Sequence, residues 1–144
     1  MRRLLFPALL IGALLLAACG GGSVEVPAPP ASQPYTPDTS TDVGRLISTW
    51  QTVAWAEMEK DAVKPETKEE AIYRSTASLE EIAAFYDDLV ETGGWWRLRR
   101  MPGLQGDLLL TGYEHGLTAL VVGAVDASKL GGEGVIIYTL QGSK

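Results

Sequence analysis

Four strand-like runs that follow a single well-marked helix place the strongest constraint on the fold. These runs span residues 95–101, 107–113, 117–125 and 134–140. The breaks between them are short and contain glycine, proline or other turn-forming residues, and such breaks join antiparallel strands. A further run over residues 71–75 precedes the helix. The order predicts an α+β domain with an antiparallel sheet of four to five strands.

The helix has clear boundaries. Ser78 and Glu81 have the spacing of a capping box, in which each side chain accepts a hydrogen bond from the other residue's backbone N–H. Apolar residues then recur every three or four positions, and Gly93 supplies a stop signal. The pattern predicts one main helix over residues 78–93 on one face of the sheet, in a two-layer sandwich. A second helix is predicted to begin near Asp42, and its end is not defined by the sequence.

A leader-like segment precedes this domain. Two arginines follow the first methionine, and an apolar run then extends over residues 4–18. Fifteen apolar residues are fewer than the roughly twenty that a membrane span needs, so the run predicts a signal peptide over residues 1–18. The residues at its end are Leu16, Ala17, Ala18 and Cys19.

These four residues resemble the lipobox of bacterial lipoproteins. The resemblance implies cleavage between Ala18 and Cys19 and attachment of a diacylglycerol to the Cys19 thiol. A membrane partner is therefore expected through the lipid on Cys19. Gly20 follows where some lipoproteins carry the aspartate that marks inner-membrane retention. The expected location is the outer membrane in a cell with two membranes, and otherwise the outer face of the cell membrane.

The segment between the cysteine and the domain predicts a tether. It is rich in glycine, serine and threonine and contains Pro27, Pro29, Pro30, Pro34 and Pro37. Such a composition lacks the apolar content that would offset the entropy of ordering it. The predicted organisation is a signal peptide over 1–18, a lipidated cysteine and flexible tether over 19–41, and a single globular domain over 42–144.

Composition argues against several classes of function. Loss of residues 1–18 removes two arginines and no acidic residue, which changes the formal net charge from −6 to about −8. An acidic domain does not attract nucleic acid, so no nucleic-acid partner is expected. Cys19 and His115 are the single cysteine and the single histidine. Neither a metal site nor another cofactor is therefore expected, and no catalytic residue is assigned.

The domain also resembles, in part, small α+β domains of bacterial lipoproteins of unknown function. The shared pattern is a strand containing Tyr73, a capped helix with Phe85 and Tyr86, and a Gly94-Trp95 entry to the next strand. This resemblance implies no catalytic residues.

One basic cluster stands out in the acidic domain. Strand alternation places Trp95, Arg97 and Arg99 on one face, with Trp96 and Leu98 turned toward the helix. Arginine beside an aromatic ring can bind a carboxylate or phosphate, although such a cluster can also be a solvated strand face. Trp95, Arg97 and Arg99 are the predicted interaction surface.

The expected function is a membrane-anchored, extracytoplasmic, non-enzymatic binding or assembly module with an envelope protein as partner. Two alternatives stay open. A carrier of small hydrophobic ligands requires a cavity between helix and sheet. A small hydrolase-like enzyme requires His115 within hydrogen-bond reach of a serine or an acid.

Overall fold

Seven strands form one antiparallel sheet in the computed structural model, which describes residues 24–144. The elements are β1 (Ser32–Pro34), α1 (Asp42–Lys60), β2 (Glu69–Ser75), α2 (Leu79–Glu91), β3 (Trp96–Arg97), β4 (Gly103–Gln105), β5 (Leu108–His115), β6 (Thr118–Asp126) and β7 (Val135–Ser143). The strand order is β1-β2-β7-β6-β5-β3, and β4 also pairs with β5. The predicted α+β class with an antiparallel sheet is confirmed, whereas the predicted four to five strands are too few. The predicted signal peptide and Cys19 lie outside the described residues.

The additional strands are short pieces at the two edges of the sheet. β1 has three residues and ends in Pro34, which suits an edge because proline cannot donate to a ladder. The predicted strand over residues 95–101 is replaced by β3 and a turn. The N–H of Met101 donates to the carbonyl of Leu98 at 3.2 Å and closes that turn. Gly103 then begins β4 with a φ of +78°, a conformation that favours glycine.

The two helices lie on opposite faces of the sheet, so the predicted two-layer sandwich is wrong and the domain has three layers. β6 shows this because its side chains alternate between two separate core clusters. Those that pack with α1 are Ala119, Val121 and Val125. Those that pack with α2 are Leu120, Val122 and Ala124. A central strand that is apolar on both faces needs a helix on each.

α1 packs closely on the middle of the sheet through one tryptophan. Trp50 is 4% exposed, and its ring lies over Gly123 of β6. A Cβ atom at position 123 would be 2.7 Å from ring atoms of Trp50. The absence of a side chain at Gly123 therefore allows the indole ring to approach the sheet.

Both helices have side-chain caps at their N-termini. The Ser78 hydroxyl accepts from the N–H of Glu81 at 3.2 Å, and the Glu81 carboxylate accepts from the N–H of Ser78 at 2.7 Å. The predicted capping box is thus present, and α2 ends at Glu91. Thr41 caps α1 by accepting from the N–H of Gly44 at 3.1 Å.

Part of the predicted tether packs on the domain. We call residues 24–34 the docking segment. Val24 and Val26 contact the core cluster on the α2 side, and β1 pairs with β2. The hydroxyl of Ser75, a fully buried residue, donates to the carbonyl oxygen of Pro30 at 2.6 Å. The ordered domain therefore includes residues well before Asp42, where the sequence placed its start.

An ion-pair network links the end of α1 to the turn after β3. The guanidinium of Arg100 pairs with Glu57 and, at 2.5 Å, with Asp61. Hydrogen bonds from Lys60 and Arg100 lower the pKa of Glu57 below its ordinary value of 4.5. A carboxylate whose pKa is lower in the folded protein than in the unfolded chain stabilises the fold at any pH above its pKa in the unfolded chain. This contribution is lost as the pH falls through the pKa in the folded protein.

We expect Arg100→Gln to lower the free energy of unfolding by about 1 kcal/mol at neutral pH, since it removes the bridge between α1 and the turn. The loss should shrink as the pH falls below 4.5 and through the lowered pKa of Glu57 in the folded protein. Urea unfolding at pH 7, 5 and 3 measures this. The control is Arg45→Gln, because Arg45 pairs with the exposed Asp42 within α1. A loss of equal size at pH 7 and pH 3 would contradict the assignment.

Candidate functional site

The structure separates the three residues of the predicted interaction surface. Trp95 is 4% exposed and packs in the core on the α2 side, whereas Trp96 is 76% exposed. The predicted orientations of Trp95 and Trp96 are therefore wrong. The backbone N–H of Trp95 donates to the backbone carbonyl of Leu89 at 3.2 Å. This bond holds residue 95 at the end of α2, where the indole ring packs beneath the helix.

Arg97 forms a link between β3 and α2. Its guanidinium lies 3.3 Å from the carboxylate of Asp87, which also accepts a 3.2 Å hydrogen bond from the hydroxyl of Tyr113. Burial raises the pKa of that hydroxyl to about 12, so it remains a donor at neutral pH. Arg97 is still partly exposed, with 40% of its side chain accessible.

Arg99 lies outside β3, in the exposed turn that follows the strand. Strand alternation therefore does not place it beside Arg97, because β3 has only two residues. Leu104 lies on β4, one residue after Gly103, and is 40% exposed. The guanidinium of Arg97 reaches to Gly103, since a Cβ atom there would be 2.5 Å from Nη2. We refer to Arg97, Arg99 and Leu104 as the β3–β4 edge.

A groove runs along α2 beside this edge. It encloses about 210 Å³ and is lined by Asp87, Val90, Glu91 and Arg97. This α2–β3 groove presents both signs of charge around a valine. Asp87 and Glu91 supply its negative charge. Their position next to Arg97 depends on how α2 packs against the sheet, which no local pattern indicates.

Another cavity lies at the end of β7. It has a volume of about 360 Å³ and is lined by Lys64, Thr67, Glu69, Thr118, Gln141, Gly142 and Ser143. Most of these side chains are polar, so the cavity differs from the mainly apolar pockets that hold drug-sized ligands.

A smaller cavity of about 140 Å³ lies beside the docking segment, with Val26, Tyr73 and Tyr86 among its lining residues. Tyr86 is fully buried, and its hydroxyl has no hydrogen-bond partner within residues 24–144. Burial raises the pKa of this hydroxyl, which keeps it neutral. The volume is below the roughly 300 Å³ at which small-molecule sites begin.

His115 ends β5 and is half-buried. Its ring packs against Trp95, with 5.6 Å between ring centroids. In the part of the chain that the structure describes, no hydrogen bond joins the His115 side chain to a serine or a carboxylate. The same residues contain no group of three or more His, Cys, Asp or Glu side chains placed to hold a metal ion.

Comparison with models of protein families, with curated proteins and with solved structures finds no match. Between residues 24 and 144, neither helix has the length and apolar character that crossing a membrane requires.

Proposed function

We propose that the chain is a lipid-anchored lipoprotein of the cell envelope whose domain is a non-enzymatic binding or assembly module. The observation that carries the proposal is the sequence Leu16-Ala17-Ala18-Cys19 at the end of a basic and then apolar leader. Cleavage before Cys19 and lipidation of its thiol attach the domain to the extracytoplasmic side of a membrane. Two acyl chains suffice for stable attachment.

The binding site of this module is the α2–β3 groove together with the β3–β4 edge, and its partner is an envelope protein. The groove has an arginine and two carboxylates around Val90, and the edge adds the apolar Leu104. Apolar side chains surrounded by a polar rim are typical of protein–protein interfaces. Because β3 and β4 are short, they offer few backbone groups to which a strand of the partner could pair. Side chains therefore supply most of the contact with the partner.

Support for the two alternatives is weaker. A carrier of hydrophobic ligands needs an apolar cavity between a helix and the sheet, and the two core clusters occupy those positions. A hydrolase needs a base held beside a nucleophile, and the His115 ring packs on the ring of Trp95.

Lipidation is tested by mass spectrometry and fractionation of bacteria that express the full-length chain. We expect the mature protein to begin at Cys19, to carry a diacylglycerol and to sediment with membranes. Cys19→Ser should leave a soluble or unprocessed form. An unmodified Cys19 in the wild-type protein would overturn the anchor.

Partner binding is tested by cross-linking in living cells. Arg97→Ala combined with Leu104→Asp should abolish a discrete cross-linked protein, while Arg45→Ala on α1 should preserve it. Each variant is first shown to unfold in urea like the wild type. If the wild-type chain is lipidated but no discrete protein is cross-linked to it, the proposed assembly role is wrong. The proposed lipid anchor is unaffected by that result.

A further inference from the structure

The docking segment brings the lipid attachment point close to one end of the domain. Only four residues lie between Cys19 and Val24, so five Cα–Cα steps join the two. A fully extended chain spans at most about 3.6 Å per residue, so this link reaches no farther than about 18 Å. The N–H of Val24 donates to the hydroxyl of Thr118, at the start of β6, at 3.4 Å. An anchor on Cys19 would therefore hold the domain near Thr118, and not through a long tether over residues 19–41.

The same end of the domain exposes two large apolar side chains. Leu117, in the loop between β5 and β6, is 67% exposed, and it immediately precedes Thr118. Trp96 is 76% exposed and pairs in register with Glu114, just before that loop. These are the two most exposed large hydrophobic residues of residues 24–144. We call Trp96 and Leu117 the apolar tip.

We propose that the apolar tip rests on the lipid bilayer, with Leu117 and Trp96 inserted at the level of the head groups; this inference rests on the proposed lipid anchor at Cys19. Tryptophan favours this region because its ring is amphipathic. A linker of four residues keeps the tip at a high effective concentration at the membrane surface. Two inserted side chains then suffice for contact, although they would not bind a protein without the anchor to the membrane.

The charges near the tip indicate an apolar attachment. Lys144 pairs with Glu114 at 2.9 Å, so this ammonium group already has an anionic partner. The acidic domain as a whole is not attracted to anionic lipid. Contact should therefore occur on zwitterionic lipid and depend little on salt.

The test uses the lipidated full-length protein in phosphatidylcholine vesicles whose acyl chains are brominated near the head groups. Bromine quenches tryptophan fluorescence at short range. We expect wild-type emission to be quenched, Trp96→Phe to lose most of that quenching, and Trp55→Phe to retain it. Trp55 is a suitable control because it is 38% exposed on α1, where its indole N–H donates to Glu70 at 2.8 Å.

Two further variants separate the role of the tip from that of the linker. Leu117→Glu should reduce the quenching while the protein still floats with vesicles. Insertion of twenty Gly/Ser residues between Ser23 and Val24 should do the same, since the tip is then no longer held at the surface.

Vesicle flotation and mass spectrometry distinguish the two proposals. Wild-type protein that is lipidated and floats, yet shows no quenching that depends on Trp96, would overturn the membrane-resting tip and leave the anchor intact. Protein without lipid on Cys19 would overturn both.

Discussion

Replacing Trp50 with alanine should lower the free energy of unfolding by about 3–5 kcal/mol, the range for deleting a buried aromatic side chain. The ring is 4% exposed and packs on Gly123 at the centre of β6. Alanine would leave a void that the rigid sheet beneath it cannot fill. Urea unfolding at neutral pH measures the loss.

The neighbouring glycine turns this measurement into a double-mutant cycle. Gly123→Ala should cost about 1–3 kcal/mol in the wild-type chain, because the added Cβ would overlap the Trp50 ring. In the Trp50→Ala background the same methyl group enters free space. Gly123→Ala should then lower the free energy of unfolding by much less. The two effects should therefore be non-additive. Additive losses would show that the ring does not lie on Gly123.

Replacing Ile82 with alanine should cost about 2–5 kcal/mol, because this side chain is fully buried on α2. The experiment tests the second core layer independently of the first, since Ile82 and Trp50 belong to different clusters. Leu104→Ala is the control and should stay within about 0.5 kcal/mol, because Leu104 is partly exposed at an edge. A loss below about 1 kcal/mol for Ile82→Ala would be inconsistent with a helix packed on each face.

The elements marked by local chemistry were the ones that the sequence predicted best. The capping box at Ser78 and Glu81 is a contact across three residues, and the structure contains it. The strand-like runs that became β5, β6 and β7 were also correctly predicted within a few residues. A glycine lies at or directly before the start of each of these runs.

Two layers were predicted where the structure has three, although the sequence of β6 indicates a strand that is covered on both faces. Its residues from Ala119 to Val122 are all apolar, and an uninterrupted apolar run indicates a strand buried on both faces. Instead, a single helix was expected over the sheet, and no layer was assigned to α1. The edge strands β1 and β3 were harder to predict, because a few residues beside a proline or a turn have no periodicity to measure.

The candidate site was predicted only in part, for a physical reason. The alternation of side chains along a strand predicts that Trp95 and Trp96 point in opposite directions, but it does not predict which of them faces the core. That choice depends on the packing of Trp95 under α2. Likewise, the pairing of Arg97 with Asp87 depends on the tertiary contact between β3 and α2. The exposure of Leu117 and its proximity to Val24 depend on where the docking segment lies.

The position of β7 in the sheet determines the order in which the domain can assemble. β7 pairs with β2 on one side and β6 on the other, and Ser75 lies opposite Val135. The strands β5, β6 and β7 form a local meander, but β2 has no central partner until residues 135–143 have been made. In the proposed lipoprotein, the segment next to Cys19 would therefore cross the membrane before the sheet on which it docks is complete, if export starts from the N-terminus. Residues 135–143 thus complete the sheet to which β1 belongs, although the two segments are about a hundred residues apart in the chain.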